Sequence, residues 1–253
     1  MNPLQHALIE KTGHDFGFEY VAEETANTIT LASARHPVHA QITLSEADYH
    51  VKITQGPALL RKELARSFAL SDGNILICHD NDYLADVLKR IASLGCSLPN
   101  QAETDFEATL KNELEQLPAN LRGTEIERMV RQRVGQQTYR KAMMEYWGGA
   151  CAVTGITTTE VLRASHAKPW ADCKNDAERM DVFNGFLLNA NLDALFDRFL
   201  ISFTDEGQII IDPSITQNDQ QKLSLNSNMK LRWLAPEHLT YLKYHRKHLN
   251  NTT

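Results

Sequence analysis

The sequence predicts an α+β protein of two domains. Its 253 residues exceed the roughly 100 to 200 residues of one compact domain. The first half combines β-rich runs with helical apolar spacing, whereas the second half contains a strand, a turn and a helix in close succession. We therefore expect an α+β domain over 1–98, an acidic helical linker over 99–121 and a second domain over 122–253.

The first predicted domain reads as an antiparallel meander followed by helices. A short N-terminal helix is expected to end before Gly13, and the last helix of the domain is expected to stop at Gly95. No catalytic cluster is evident here, so recognition, regulation or partner contact is the expected role. The predicted elements are a helix over 3–11, strands over 18–22, 28–32, 38–44 and 49–54, a helix over 58–68, a strand over 74–78 and a helix over 82–94.

The composition is that of a globular protein, with 42% hydrophobic and 23% charged residues. No run of about 18 apolar residues appears, and the first ten residues lack the basic start and apolar core of a signal peptide. The four cysteines contain no C-x-x-C pair, which argues against a disulfide framework or a zinc knuckle. We expect a cytoplasmic protein that does not enter a membrane.

The net charge of −6 is unevenly distributed. Residues 1–120 contain 9 Lys and Arg against 17 Asp and Glu, and the remainder contains 17 against 15. A polyanionic partner would therefore be met by the second half, through local patches and a divalent metal.

The second half begins with helices of opposite charge. An acidic helix is predicted over 103–117 and ends at 118–120, and from Thr124 a pair of basic helices is interrupted at Gly135. Towards the C-terminus we expect a hairpin of strands 199–203 and 208–212, a strand over 230–234 and a final helix from Pro236. The basic face of that helix comprises Lys243, His245, Arg246, Lys247 and His248.

Five short motifs follow one another over roughly residues 128–205. They are R-x-x-V-x-Q-x-x-Y-R, C-A-V-T-G, S-H-x-K-P-W, N-G-x-x-L and D-x-L-F-D-R. Their order and spacing resemble those of one subfamily of the HNH (ββα-metal) endonucleases. The resemblance covers the C-terminal half only, and it implies a nuclease domain that cleaves DNA with a divalent metal.

The residue chemistry points the same way. Phosphodiester hydrolysis needs an activated water and a cation that neutralises charge on the phosphate. His166, at the end of the first strand, can act as the general base near neutral pH. In HNH enzymes the asparagine equivalent to Asn184 orients the base or its loop, although an Asn-Gly pair is also an ordinary turn former.

Asp193 and Asp197 lie four residues apart on a helix predicted over 192–198, so they share a face. Two carboxylates favour Mg²⁺ or Mn²⁺ over Zn²⁺. Many HNH enzymes carry a metal-binding Asp or His directly before the base, where this chain has Ser165. Three arrangements stay open: the two aspartates with water, Asn184 joining them, or His166 itself binding the metal.

The predicted function is a metal-dependent HNH endonuclease acting on DNA, with restriction or defence against foreign DNA suggested by the family. The alternatives are an inactive DNA- or partner-binding protein on the same frame and a regulated toxin or effector nuclease. A homodimer and a protein regulator are considered as partners, and no organic cofactor site is predicted. The candidate phosphate-binding residues are Arg163, Lys168, Arg198, Arg133 and Arg140.

Overall fold

The computed structural model describes residues 1–71, 74–99, 101–118 and 123–249. The chain divides into two compact units, Met1–Gln101 and Ala102–Thr253. Helices and strands occur in both, so the predicted α+β class is confirmed. Part of the turn expected at 118–120 lies outside the described residues.

The first unit is built on a five-stranded antiparallel sheet whose strands follow chain order. The predicted meander is therefore confirmed, and a fifth strand pairs with the fourth. Alternation along the strands places side chains such as Ala40, Ile42 and Val51 in the core, where none is exposed. The strands are β1 (Tyr20–Glu24), β2 (Thr28–Ala32), β3 (His39–Ser45), β4 (Asp48–Gln55) and β5 (Ile75–Cys78).

Three helices complete this unit: α1 (Pro3–Asp15), α2 (Leu60–Leu64) and α3 (Asn81–Ser97). The first helix does not end before Gly13 as expected. A Cβ on Gly13 would lie 2.6 Å from Cδ1 of Leu31, so the glycine is a close-packing position inside the helix. The second helix is shorter than the predicted 58–68. The apolar face of the third is fully buried, with Leu84, Val87, Leu88 and Ile91 at 0% exposure.

The second unit contains two small antiparallel sheets among helices. The first sheet pairs β6 (Leu162–His166) with β7 (Gly185–Asn189), and the second pairs β8 (Ile201–Phe203) with β9 (Ile209–Ile211). Buried aromatic side chains, including Trp147, Phe186 and Phe203, fill the core. The helices are α4 (Gln101–Glu115), α5 (Thr124–Tyr146), α6 (Asp176–Met180), α7 (Ala190–Phe196), α8 (Gln217–Lys222) and α9 (Leu239–Arg246).

The interruption predicted at Gly135 is wrong, because α5 continues through it. Gly135 is buried against the indole of Trp170: a Cβ would lie 2.7 Å from Cζ3 of that ring and closer still to Cη2. The glycine therefore serves close packing of an aromatic side chain and does not break the helix.

The strand predicted over 230–234 is also wrong, since Lys230 forms only an isolated bridge with Gln208. The segment instead binds the region after α5. The Arg232 amide donates to the Ala152 carbonyl, and the Arg232 guanidinium donates to the carbonyls of Trp147 and Ala150. These contacts replace the ladder that a strand would form.

The final helix begins with a 3₁₀ turn at Pro236–His238 and continues as α9. His245 was expected on its basic face but is fully buried. Its ring stacks on Phe196 at 3.8 Å between centroids and makes hydrogen bonds to the Phe196 carbonyl and the Ser202 hydroxyl. In the part of the chain described, no helix combines the length and apolar character that crossing a membrane requires.

Candidate active site

A hairpin followed by a helix forms the frame of the site. In the β6–β7 ladder His166 faces Gly185 and Ser165 faces Phe186. Asn189 caps α7, since its side chain accepts the Leu192 amide at 3.0 Å. The predicted helix over 192–198 is therefore shifted by two residues, and it begins directly where β7 ends.

Two contacts hold the imidazole of His166: an aromatic ring stacks on one face, and a carbonyl oxygen forms a hydrogen bond with one nitrogen. Its ring lies parallel to that of Tyr139, with 3.7 Å between centroids and 16° between planes. Nε2 lies 2.9 Å from the Arg179 carbonyl oxygen. Because a carbonyl only accepts, Nε2 carries the proton and Nδ1 is the acceptor of the neutral ring.

The Nδ1 atom is the chemically open position of this ring. No described residue forms a hydrogen bond with Nδ1. Nδ1 is also not among the side-chain nitrogen and oxygen atoms of the described residues that are buried without a hydrogen-bond partner. Burial lowers the pKa of His166 to about 4, against the opposing effects of the Arg179 carbonyl and the negative charge of Asp197. The ring is therefore neutral at pH 7, with an unprotonated Nδ1, and the negative charge of Asp197 partly offsets the effect of burial on its pKa.

Asn184 is fully buried and holds the loop between the two strands. Its Oδ1 accepts the Lys168 amide at 2.8 Å, while Nδ2 donates to the carbonyls of Glu178 at 2.9 Å and Lys168 at 3.2 Å. Its own carbonyl accepts from the Ala167 amide and the Tyr139 hydroxyl, both at 3.0 Å. The side chain thus ties Asn184 to the backbone of Lys168 and to that of Glu178, the residue directly before Arg179.

The same loop is tied to the C-terminal helix. Tyr241 on α9 donates to Oδ2 of Asp181 at 2.9 Å, and Tyr244 donates to Oδ2 of Asp172 at the same distance. Asp181 in turn accepts the Phe183 amide, directly before Asn184. Residues from the end of the unit therefore support the loop beside His166.

The two aspartates lie on consecutive turns at α7. Asp193 is half-buried and Asp197, the C-cap, is exposed. The Ser165 hydroxyl donates to Oδ1 of Asp193. Burial raises the pKa of Asp193, the Ser165 hydrogen bond opposes this, and the charge of Asp197 adds to it. Mutual repulsion of this kind is relieved when a cation binds between carboxylates.

The donor set suits a hard cation, since two carboxylates and a hydroxyl supply only oxygen atoms. It is also incomplete as a protein cage. Within the described ranges, no three His, Cys, Asp or Glu side chains are grouped so that they could hold a metal ion. A cation here would draw on Asp193 and Asp197, with water as its remaining ligands, in the way Mg²⁺ is commonly held.

The predicted phosphate-binding residues differ in their surroundings. Arg140 donates to the carbonyls of Leu162 and Thr159, which anchors β6 to α5. Lys168 pairs with Glu178 at 2.6 Å and Arg133 with Glu113 at 2.8 Å. Arg163 is exposed, and its hydrogen bonds with the described residues go to the backbone carbonyls of Glu160 and Leu162, both at 2.8 Å. Arg198 is exposed and makes no hydrogen bond with any described residue.

Sequence reasoning missed Tyr139, Arg179 and the helix α6 that carries Arg179. Tyr139 lies in the quoted R-x-x-V-x-Q-x-x-Y-R motif, so its position was visible while its contact with His166 was not. Arg179 contributes a backbone carbonyl, for which no side-chain pattern exists. Asn175 before α6 does carry a capping signal, because its side chain accepts the Glu178 amide at 2.9 Å.

The hairpin, the helix and the residues between them lie in one continuous segment that is similar to a known family. Residues 151–204 match the family model of the HNH endonucleases, which confirms the predicted resemblance for the C-terminal half. The match includes His166, Asn184, Asp193 and Asp197, and it begins after Tyr139. No curated protein matches the chain.

Proposed function

We propose that the chain is a metal-dependent endonuclease that hydrolyses phosphodiester bonds of DNA. The observation that supports it best is the state of His166: Nε2–H is committed to the Arg179 carbonyl, and the unprotonated Nδ1 is open and influenced by Asp197. This is the arrangement that a general base requires. The family match at 151–204 supports nuclease chemistry.

In this mechanism Nδ1 of His166 takes a proton from a water molecule. The water oxygen forms a bond to phosphorus as the bond between phosphorus and the leaving oxygen breaks, and that oxygen takes a proton from solvent. A bound phosphodiester brings negative charge beside the ring, which raises its pKa towards that of an efficient base. Asn184 keeps the loop, and with it the Arg179 carbonyl, in place.

Asp193 and Asp197 would hold Mg²⁺ or Mn²⁺. When bound, the cation neutralises negative charge on the phosphate and the leaving oxygen. Arg163 and Arg198, which form no ion pair with the described residues, are the proposed contacts to the DNA backbone. Lys168, Arg133 and Arg140 would reach phosphate only by leaving the partners that hold them.

We assign the first domain, residues 1–98, to recognition or regulation, since no catalytic cluster is evident in its sequence. A homodimer would supply two active sites for two strands. Restriction or defence is the biological role suggested by the family, and the cytoplasm is the proposed location because none of the four cysteines, all of them described, forms a disulfide.

One observation favours a second function. The Ser165 hydroxyl, at the position where many HNH enzymes carry a metal ligand, is bonded to Asp193. A chain with a weakened metal site could bind DNA without cutting it.

A plasmid-nicking assay with Mg²⁺ or Mn²⁺ separates the two functions. We expect cleavage by the wild type and by His14→Ala, an exposed histidine of the first unit, and none by His166→Ala. Equal cleavage by His166→Ala would contradict the mechanism. DNA binding without cleavage by the wild type would favour the second function.

A further inference from the structure

Tyr139 is the side chain in closest aromatic contact with the candidate base. It lies on α5, outside the matched segment, and only 1% of it is exposed. Its ring covers one face of His166 at 3.7 Å and 16°. A stacked pair of this geometry fills the space through which the imidazole would turn.

The hydroxyl of Tyr139 reaches a second element of the site. It donates to the Asn184 carbonyl at 3.0 Å, beside the Ala167 amide that donates to the same oxygen. A side chain at position 185 would block this approach, because a Cβ on Gly185 would lie 2.6 Å from the Tyr139 hydroxyl oxygen. One phenol thus contacts the ring at the end of β6 and the backbone at the start of β7.

A second aromatic ring lies next to the imidazole. The ring of Trp170 is nearly perpendicular to that of His166, with 6.3 Å between centroids and 86° between planes. Trp170 is seated against Gly135, one helical turn before Tyr139, so α5 locates both rings. A half-turn of the imidazole about its Cβ–Cγ bond would exchange Nδ1 with a carbon and break the bond from Nε2 to Arg179.

We propose that Tyr139 is a positioning residue of the nuclease, which holds the His166 ring in the orientation that keeps Nδ1 directed at the water. The role is carried by the stacked ring, and the hydroxyl adds support to the loop. This inference rests on the proposed function, and it concerns the orientation of the base, so it can be tested separately from cleavage.

The kinetic test uses three variants of the full chain. Tyr139→Met removes the ring and keeps much of the volume, Tyr139→Phe removes only the hydroxyl, and Phe203→Leu is a control that shrinks another buried ring of the same unit. We expect Tyr139→Met to lower kcat for plasmid nicking about 100-fold, as expected for a misplaced reacting group, with KM unchanged. Tyr139→Phe should stay within about threefold of the wild type, because it loses one hydrogen bond. Phe203→Leu should lower thermal stability without changing kcat.

The orientation itself is read by NMR of histidine labelled with ¹⁵N, with the His166 signals identified by their absence in His166→Ala. In the wild type and Tyr139→Phe we expect the Nε2–H tautomer and ring protons shifted upfield by the stacked ring. Tyr139→Met should lose the upfield shift of the ring protons and show averaged ¹⁵N chemical shifts for Nδ1 and Nε2. Wild-type signals without either feature would overturn the proposal, as would a kcat of Tyr139→Met equal to that of the wild type. A wild type that shows both features but cuts no DNA would refute the nuclease and leave the positioning contact established.

Discussion

The hydroxyl of Ser165 donates a hydrogen bond to Oδ1 of Asp193, which joins the end of the first strand of the hairpin to the helix that follows it. The serine therefore lies beside the acidic pair, Asp193 and Asp197, although its own side chain is uncharged. It holds one carboxylate oxygen of Asp193 in place and leaves Oδ2 for another ligand. This relationship makes the acidic pair the part of the site where a cation should be sought first.

Divalent cations should stabilise the folded protein through Asp193 and Asp197. At about 100 times its dissociation constant, Mg²⁺ or Mn²⁺ is expected to add about 2.7 kcal/mol to the free energy of unfolding. Asp193→Asn and Asp197→Asn should each remove most of this gain, whereas Asp82→Asn, an exposed carboxylate of the first unit, should keep it. Thermal denaturation with and without the cation measures the effect. An equal gain in all three variants would show that the cation binds elsewhere.

Loss of the Asn184 side chain should loosen the loop and reduce stability. Asn184→Ala leaves the Lys168 amide and the carbonyls of Lys168 and Glu178 without this partner in a buried place. We expect the free energy of unfolding to fall by about 3 kcal/mol, with a loss of cleavage. Urea denaturation provides the measurement, and Asn191→Ala, an exposed residue at the start of α7, provides the control. A change as small as that of the control would mean that the buried bonds contribute little.

Gly135→Ala should destabilise the protein although it improves helix propensity. In an exposed helix this change stabilises by about 1 kcal/mol. Here the new methyl group meets the Trp170 indole, so we expect a loss of about 2 kcal/mol from overpacking. Gln136→Ala, on the exposed side of the same helix, should be neutral. Adding Trp170→Phe to Gly135→Ala should recover part of the loss, and its failure to do so would argue against the steric explanation.

His245 should make the stability depend on pH between about 4 and 7. Burial lowers its pKa to about 4, below the value of about 6.5 in an unfolded chain. Between these values the unfolded state binds the extra proton, so stability is lost as the pH falls through this window and is complete above it. The full loss from this group is about 3 kcal/mol. His245→Gln should reduce this dependence, measured by urea denaturation at pH 4.5, 5.5 and 7, and should leave the part that the lowered pKa of His166 contributes. His14→Gln should leave the dependence as in the wild type.

The strands and the spacing of the candidate site residues were largely predictable because both depend on local patterns. Alternation placed β2 at its observed bounds, and the i, i+4 spacing put Asp193 and Asp197 on consecutive turns. Alternation is less regular in β6, since Ser165 is buried while His166 keeps a partly exposed surface. The hydrogen bond to Asp193 accounts for this, and it joins residues 28 positions apart.

The remaining errors come from residues whose role is decided by distant partners. Gly135 reads as a helix breaker until Trp170 is known to lie against it. His245 reads as part of a basic face until Ser202 and the Phe196 carbonyl are known to meet its ring. A glycine or a histidine is compatible with either reading, and only tertiary packing selects between them.

The support of the loop by Tyr139 on α5 and by Tyr241 and Tyr244 on α9 has a practical outcome for transferring this site to another protein. A polypeptide trimmed to 151–204 would keep all four polar residues of the motif and lose the phenols that flank them. Such a fragment would keep the motif residues of the family and lose the side chains that hold their loop in place. A fragment intended for transfer should therefore begin upstream, within α5, and end after α9.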